Sequence, residues 1–388
     1  MKYVDEFRDP EKAKVLLVEI EKIAGGLAEK LGRPVYIMEV CGGHTHTIFR
    51  YGIDNMLPDS LELVHGPGCP VCVLPMGRVD DCVAIAEQEN VIFTTFGDAM
   101  RVPGSRKSLL QAKADGADVR MVYSPLDALS LARKNPDKEV VFFALGFETT
   151  MPSTALTVLK AEEEFISNFS LFCNHITIIP TIKAVLDSPG LMLDGFLGPG
   201  HVSMVIGNDQ YRFIADHYRR PVVVAGFEPL DILQSLWMVL QQLEAGEARI
   251  ENQYNRVVPE DGCANALDAI SRVFELREFF EWRGLGSIDH SGVQLTDAYA
   301  AFDAEKKFTV PSVTIADPKS CQCGEVLKGA IKPNQCKVFG TACTPEIPLG
   351  ALMVSSEGAC AAYYRFGQKP GKNEPTRPVV RELEEVGV

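Results

Sequence analysis

The string Cys41-Gly42-Gly43-His44-Thr45-His46 sets a thiol, two glycines and two imidazoles within six consecutive positions. A cysteine that follows an apolar strand and opens a helix meets free backbone N–H groups, which favour the thiolate. Gly42 and Gly43 let the backbone approach a bound group closely, and His44 and His46 add proton donors or metal ligands. A second string, Gly66-Pro67-Gly68-Cys69-Pro70-Val71-Cys72, carries a Cys-x-x-Cys pair. At the opening of a helix in an α/β setting, that spacing suits thiol–disulfide exchange, one thiol activated and the other resolving. Half a zinc knuckle is the competing reading, but the chain has no second Cys-x-x-Cys to complete it.

A third group lies near the C-terminus. Cys321, Cys323, Cys336, Cys343 and Cys360 put five thiols in forty residues, at irregular intervals of 1, 12, 6 and 16 positions. Structural zinc usually uses paired, closely spaced cysteines, whereas glycine-rich irregular spacing suits the wrapping of an iron–sulfur cluster. Four thiolates suffice for a [4Fe–4S] centre, so one is spare, and Cys321 and Cys323 compete for that role. A spare thiol beside a cluster could form a disulfide that the cluster reduces. Three further groups are candidates. Glu148 in Gly146-Phe147-Glu148-Thr149-Thr150 could carry a proton, although a helix cap by Thr149 or Thr150 is simpler. His201, in Gly198-Pro199-Gly200-His201, sits at a glycine-rich turn expected to enter a strand. Glu357 is either an acid beside the cluster or a helix-start residue. Cys82, Cys173 and Cys263 lack thiol neighbours in sequence and are expected to pack as small apolar groups.

The elements that position these residues follow from apolar patterning. Strands are expected at Val35–Val40, Leu61–His65, Val91–Thr95, Val119–Tyr123, Val140–Leu145, His175–Ile179, Val202–Ile206 and Pro221–Ala225. Helices are expected at Asp80–Gln88, Pro125–Lys134, Ser153–Phe165, Asp231–Glu244 and Leu267–Trp282. Near-continuous apolar strands alternating with helices imply parallel sheets. The expected class is α/β, with two related doubly wound parallel-sheet lobes and a smaller cysteine-rich iron–sulfur domain. The working division is 1–130, 131–230 and 231–388, the last including a proline-bearing tail after Gly367. Phe96-Gly97-Asp98, Gly146-Phe147-Glu148 and Gly226-Phe227-Glu228 echo one another, each after an apolar strand, where such sheets place ligands.

A formal charge of −14 argues against nucleic acid or an acidic membrane surface as a partner. No run reaches the ~20 apolar residues of a membrane span, and no leader is evident. The expected location is therefore cytoplasmic, where eleven cysteines point to metal or redox work rather than structural disulfides.

Taken together, the CGGHTH, GPGCPVC, GFETT and Pro199-Gly200-His201 strings and the C-terminal cysteines resemble the HypD family of [NiFe]-hydrogenase maturation proteins, from about residue 30 to 366. The resemblance implies a scaffold that builds the Fe(CN)2CO unit of the hydrogenase active site together with the small chaperone HypC. Cyanide would arrive through HypE, supplied by HypF. It also implies that Cys41 is the essential first cysteine and a ligand of the transient iron, that Cys69 and Cys72 form the redox pair, and that the [4Fe–4S] ligands fall among the five C-terminal cysteines. Two related α/β lobes and a cluster domain belong to the same expectation. The rival reading of these residues is an iron–sulfur-dependent thiol–disulfide reductase. Both turnover and simple carriage of intermediates remain open at this level.

Overall fold

Nine short strands build two parallel sheets. In chain order they are β1 (Val35–Glu39), β2 (Leu61–His65), β3 (Val91–Thr95), β4 (Val119–Met121), β5 (Glu139–Gly146), β6 (Phe169–His175), β7 (Gly195–Pro199), β8 (Val222–Ala225) and β9 (Ile250–Asn252). The first sheet has the order β2-β1-β7-β8-β9 and the second β4-β3-β5-β6, with every pairing in both sheets parallel. All residues of β1, β3, β6, β7 and β8 are buried, as expected of strands covered on both faces. The computed structural model describes residues 5–367, so the expected tail, Gln368–Val388, lies outside the described residues.

The α/β class and its two lobes hold, but the expected boundary near residue 130 does not separate the sheets. Strands β3 to β6 form one sheet, and the other takes strands from both sides of that block. One lobe is thus inserted within the other. Three expected elements also change type. Val202–Ile206 lies in a helix, Gly200–Ile206, and its strand is the preceding glycine-bearing Gly195–Pro199. The strand expected at His175–Ile179 is instead the end of Phe169–His175 and the start of the helix Ile178–Leu186; Pro180 falls in that helix's first turn, where a missing N–H breaks no bond. The helix expected over Leu267–Trp282 ends at Val273, and Phe274–Leu276 and Phe279–Trp282 then pair antiparallel with later strands.

The remaining described residues form antiparallel strand pairs and a cysteine-rich segment that packs against the first lobe. Its last helix, Ala359–Phe366, packs on the helix Gly42–Arg50, where the rings of Phe49 and Tyr363 lie 5.3 Å apart edge to face. Among the described residues no helix is long and apolar enough to cross a membrane.

Candidate functional site

In each sheet the chain reverses its direction of winding at one point. In the first sheet β1 runs outward to β2 on one side while β7 pairs on the other; in the second, β3 stands likewise between β4 and β5. Loops diverge above such a switch point and leave a crevice at the strands' carboxyl ends. Here both crevices open into one cavity of about 330 Å³. Cys41 follows β1, His201 follows β7, Asp98 follows β3, Phe147 and Thr150 follow β5, and Glu357 enters from the C-terminal segment. Cys41, His201 and Glu357, all singled out in sequence, therefore share one space although they are far apart along the chain.

Cys41 is the N-cap of the helix Gly42–Arg50, as expected. The expected acidification does not follow. Burial pushes the Cys41 thiol up, the nearby Glu357 and Glu39 carboxyls push it further, and hydrogen bonds from the Gly43 and His44 backbones only partly oppose them. A helix end is worth about 1 kcal/mol, less than the removal of a thiolate from water. Glu357 lies against Gly42: a Cβ there would come within 2.8 Å of its Oε2. Burial, with Asp98 and Glu39 nearby, raises the pKa of Glu357.

Sequence reasoning missed the residue that anchors this loop. Glu39, fully buried at the end of β1, accepts hydrogen bonds from the Cys41 backbone N–H at 3.0 Å, from the Thr45 hydroxyl and from His65 Nδ1 at 2.8 Å. Its signal was an acid inside an otherwise apolar strand. Phe227 was missed as well. Its ring is sandwiched between His44 (centroids 4.8 Å apart) and His201 (3.7 Å). The repeated Gly-Phe-Glu string had marked this position.

The histidines take distinct places. His44 is fully buried, its Nε2 sits 3.1 Å from the Ala225 carbonyl and its Nδ1 has no partner. Burial lowers its pKa, and that of His201, so both favour the neutral form. His201 enters a helix rather than a strand and lines the cavity. His46 points elsewhere, its Nδ1 3.3 Å from the Ser356 carbonyl oxygen.

Glu148 caps the helix Ile178–Leu186, Oε1 accepting from the Ile178 N–H at 3.0 Å while Oε2 has no partner. Burial pushes its pKa up to about 7. In the unfolded chain a glutamate ionises near ~4.3, so above that pH the folded state keeps a proton the unfolded state has lost. Stability should then fall as pH rises toward about 7, by roughly 3–4 kcal/mol in all, and fall no further beyond. Glu148→Gln is expected to flatten that slope, read as urea unfolding free energies at about pH 5 and about pH 8.

Cys69 and Cys72 form a disulfide, in a turn ahead of the helix Met76–Ala86 rather than at its opening. Gly68 presses this loop onto the first motif, since a Cβ there would fall 2.3 Å from the Cys41 nitrogen. On the other side, a Cβ on Gly358 would fall 2.9 Å from the Cys72 sulfur, two residues before Cys360. The disulfide thus lies in packing contact with both the Cys41 loop and the C-terminal thiol segment.

All five C-terminal cysteines line a second, small cavity with Val326, Val338, Phe339 and Met353. Among the described residues no three ligating side chains close around a point the size of a single ion. The residues fit a cluster in three respects. The ionisable donors are thiols only, and apart from Gln322 the surround is apolar. The Leu349 N–H donates to Cys343 Sγ at 3.4 Å, the kind of bond that tunes cluster sulfur. Gly350 leaves room that a Cβ would fill, 2.4 Å from both the Cys321 and Cys323 sulfurs. Those two sulfurs lie 3.1 Å apart, so either can serve as the spare thiol. Of the cysteines expected to pack, Cys82 and Cys173 are buried, while Cys263 is exposed at a helix start, where no apolar neighbour covers it.

Fold and site together define a cysteine-based α/β protein in which a buried thiol, a disulfide and a thiol-lined cavity follow one another in contact. The family model for HypD, described as the hydrogenase formation hypA family, matches residues 12–367. Hydrogenase maturation factor HypD of Rhodobacter capsulatus is 60% identical over 371 residues, covering 95% of this chain and 98% of that protein. The protein of the same name from Escherichia coli K12 is 56% identical over 369 residues, covering 95% and 99%, and that of Cupriavidus necator is 47% identical over 375 residues, covering 95% and 98%. The chain belongs to the HypD family of hydrogenase maturation factors.

Proposed function

We propose that this hydrogenase maturation factor is the scaffold on which, with a HypC-like chaperone, the Fe(CN)2CO unit of a [NiFe]-hydrogenase is assembled. The observation that carries this reading is the convergence of Cys41, His201 and Glu357 on one cavity at the facing switch points of two sheets. Iron bearing cyanide and carbonyl, as cargo, needs soft donors. Cys41 supplies one thiolate and a cysteine of the chaperone another. Because burial holds Cys41 protonated, binding of the metal must displace that proton. Glu357, packed against Gly42, is placed to receive it. Cyanide nitrogens accept hydrogen bonds, which the backbone N–H groups at the helix start or the His201 imidazole can donate. A HypE-like protein is the cyanide donor.

A [4Fe–4S] cluster held by four of Cys321, Cys323, Cys336, Cys343 and Cys360 would supply single electrons. Opening the Cys69–Cys72 disulfide takes two electrons and two protons and yields two thiols beside Cys41. The reductase alternative is not favoured, because Cys69 and Cys72 are buried and a protein disulfide cannot reach them. Infrared spectroscopy of the chain purified with its HypC-like partner tests the scaffold reading. Cyanide and carbonyl stretches are expected on the complex; their absence from complex that still activates hydrogenase rejects it.

A further inference from the structure

The large cavity has a second wall. Gly146, Phe147, Thr149 and Thr150, from the end of β5 and the turn after it, line the cavity from the inserted sheet, whereas Cys41 and His201 follow strands of the first sheet. Thr150 is the N-cap of the helix Met151–Glu163, yet its side chain makes no cap bond. Its φ of −99° and ψ of −15° are not the extended values that bend a cap hydroxyl back onto the helix. The hydroxyl lies instead against Gly146, where an added Cβ would overlap Oγ1. A residue without a side chain at the end of β5 is what gives this hydroxyl its place.

Behind Thr150 stands His175, the last residue of β6, only 1% exposed. Burial pushes its pKa down to about 4, so at neutral pH the ring is uncharged and carries one N–H. Nδ1 lies 3.3 Å from the Gly146 carbonyl oxygen and 3.5 Å from Thr150 Oγ1. A carbonyl oxygen only accepts, so the proton sits on Nδ1. Nε2 then accepts from the Thr154 hydroxyl at 3.0 Å. With an N–H on its inner side, Thr150 Oγ1 accepts there rather than donates. Its own hydrogen is left to the Phe147 carbonyl at 3.2 Å, long for an O–H···O bond. That carbonyl already accepts from the Thr150 backbone N–H at 3.1 Å. A charged acceptor in the cavity would take the hydrogen instead.

We propose that Thr150 donates a hydrogen bond to a cyanide nitrogen of the iron unit carried by Cys41, and that His175 is the positioning residue that keeps the Thr150 hydroxyl free to do so. This rests on the reading of the protein as a scaffold for Fe(CN)2CO. Two cyanide nitrogens need donors in two directions, and the helix start after Cys41 and His201 supply them from the first sheet alone. A cavity of about 330 Å³ holds one small complex, so a unit bound on one wall presents its ligands to the other. A metal-bound carbonyl oxygen is a poor acceptor, so the Thr150 hydroxyl also distinguishes cyanide from carbonyl at that place.

The test is infrared spectroscopy of the full-length protein purified with its HypC-like partner, with iron per chain measured on the same samples. Thr150→Val, which keeps the shape and removes the donor, is expected to shift one cyanide stretch to lower frequency, with the other nearly fixed and the iron retained. Thr150→Ser is expected to keep both cyanide bands in place, and His175→Leu to shift the same band as Thr150→Val. Where Thr150→Val does not fold, Thr150→Ala takes its place, with Thr150→Ser as its control. Cyanide bands unmoved in iron-loaded Thr150→Val, or moved alike in the valine and serine variants, would overturn the inference and leave the scaffold reading standing. Absence of cyanide and carbonyl bands from unsubstituted complex that still activates hydrogenase would reject the scaffold and the inference with it.

Discussion

Cys41→Ala is expected to abolish the cyanide and carbonyl bands of the partner complex and to leave the absorbance of the C-terminal cluster unchanged. The separation of the two effects is the informative part. Cys41 lines the large cavity and none of the five C-terminal cysteines does. Loss of one sulfur from a well-packed site costs about 1 kcal/mol, too little to unfold a domain of ordinary stability. A soft metal ligand, in contrast, is not replaced: besides the Asp98 and Glu357 carboxyls, the one imidazole lining the cavity among the described residues is His201, already stacked on Phe227 at 3.7 Å. Infrared bands and iron per chain, measured on the same complex, decide the outcome. Retention of both bands in the alanine variant would remove Cys41 from the ligand set. Cys69→Ala serves as the contrast, since it breaks the disulfide and leaves the Cys41 thiol in place.

Glu39→Ala is expected to cost ~3–5 kcal/mol of stability, the largest loss from any single polar side chain near the site. The carboxylate serves three buried donors at once: the Cys41 N–H, the Thr45 hydroxyl and His65 Nδ1. Each donor left unsatisfied costs about 1–3 kcal/mol, because no water replaces the lost acceptor. Glu39→Gln should fall between the two, since one side of an amide accepts and the other presents N–H groups to a donor. Urea unfolding midpoints of the three proteins test the order. The alanine variant, where it folds, should also bind less iron, because the amide that aims Cys41 has lost its anchor.

Much of both sheets was legible because a buried strand announces itself. Leu61–His65 and Val91–Thr95 coincide with their apolar runs. Which sheet a run joins was not legible, since strands covered on both faces carry the same pattern wherever they pair. That is why the lobes were drawn side by side while the chain nests one inside the other. The strand β7 was hidden for a different reason. Gly195-Phe196-Leu197-Gly198-Pro199 has little strand propensity, and its place comes from neighbours β1 and β8 on either side. At the site, Cys41, His201 and Glu357 could be found because their motifs are dense in reactive groups. Glu39 could not: a single acid reads as surface until burial and partners are known. The acidity expected of Cys41 failed because helix geometry was legible and depth was not.

The nesting of the sheets also imposes a calendar on synthesis. All strands of the inserted sheet lie within Val91–His175 and can pair as soon as that block leaves the ribosome. β1 has to wait for β7, to which Ile37 is joined through Gly195. Pairings of such long range are slow to close. The wall bearing Glu357 is made later still. A growing chain therefore offers Cys41 without its enclosure, and the cavity is complete only once the segment bearing Glu357 has been translated. In the scaffold reading, cargo loading would thereby be confined to chains that already carry this segment, with no separate factor needed to delay it.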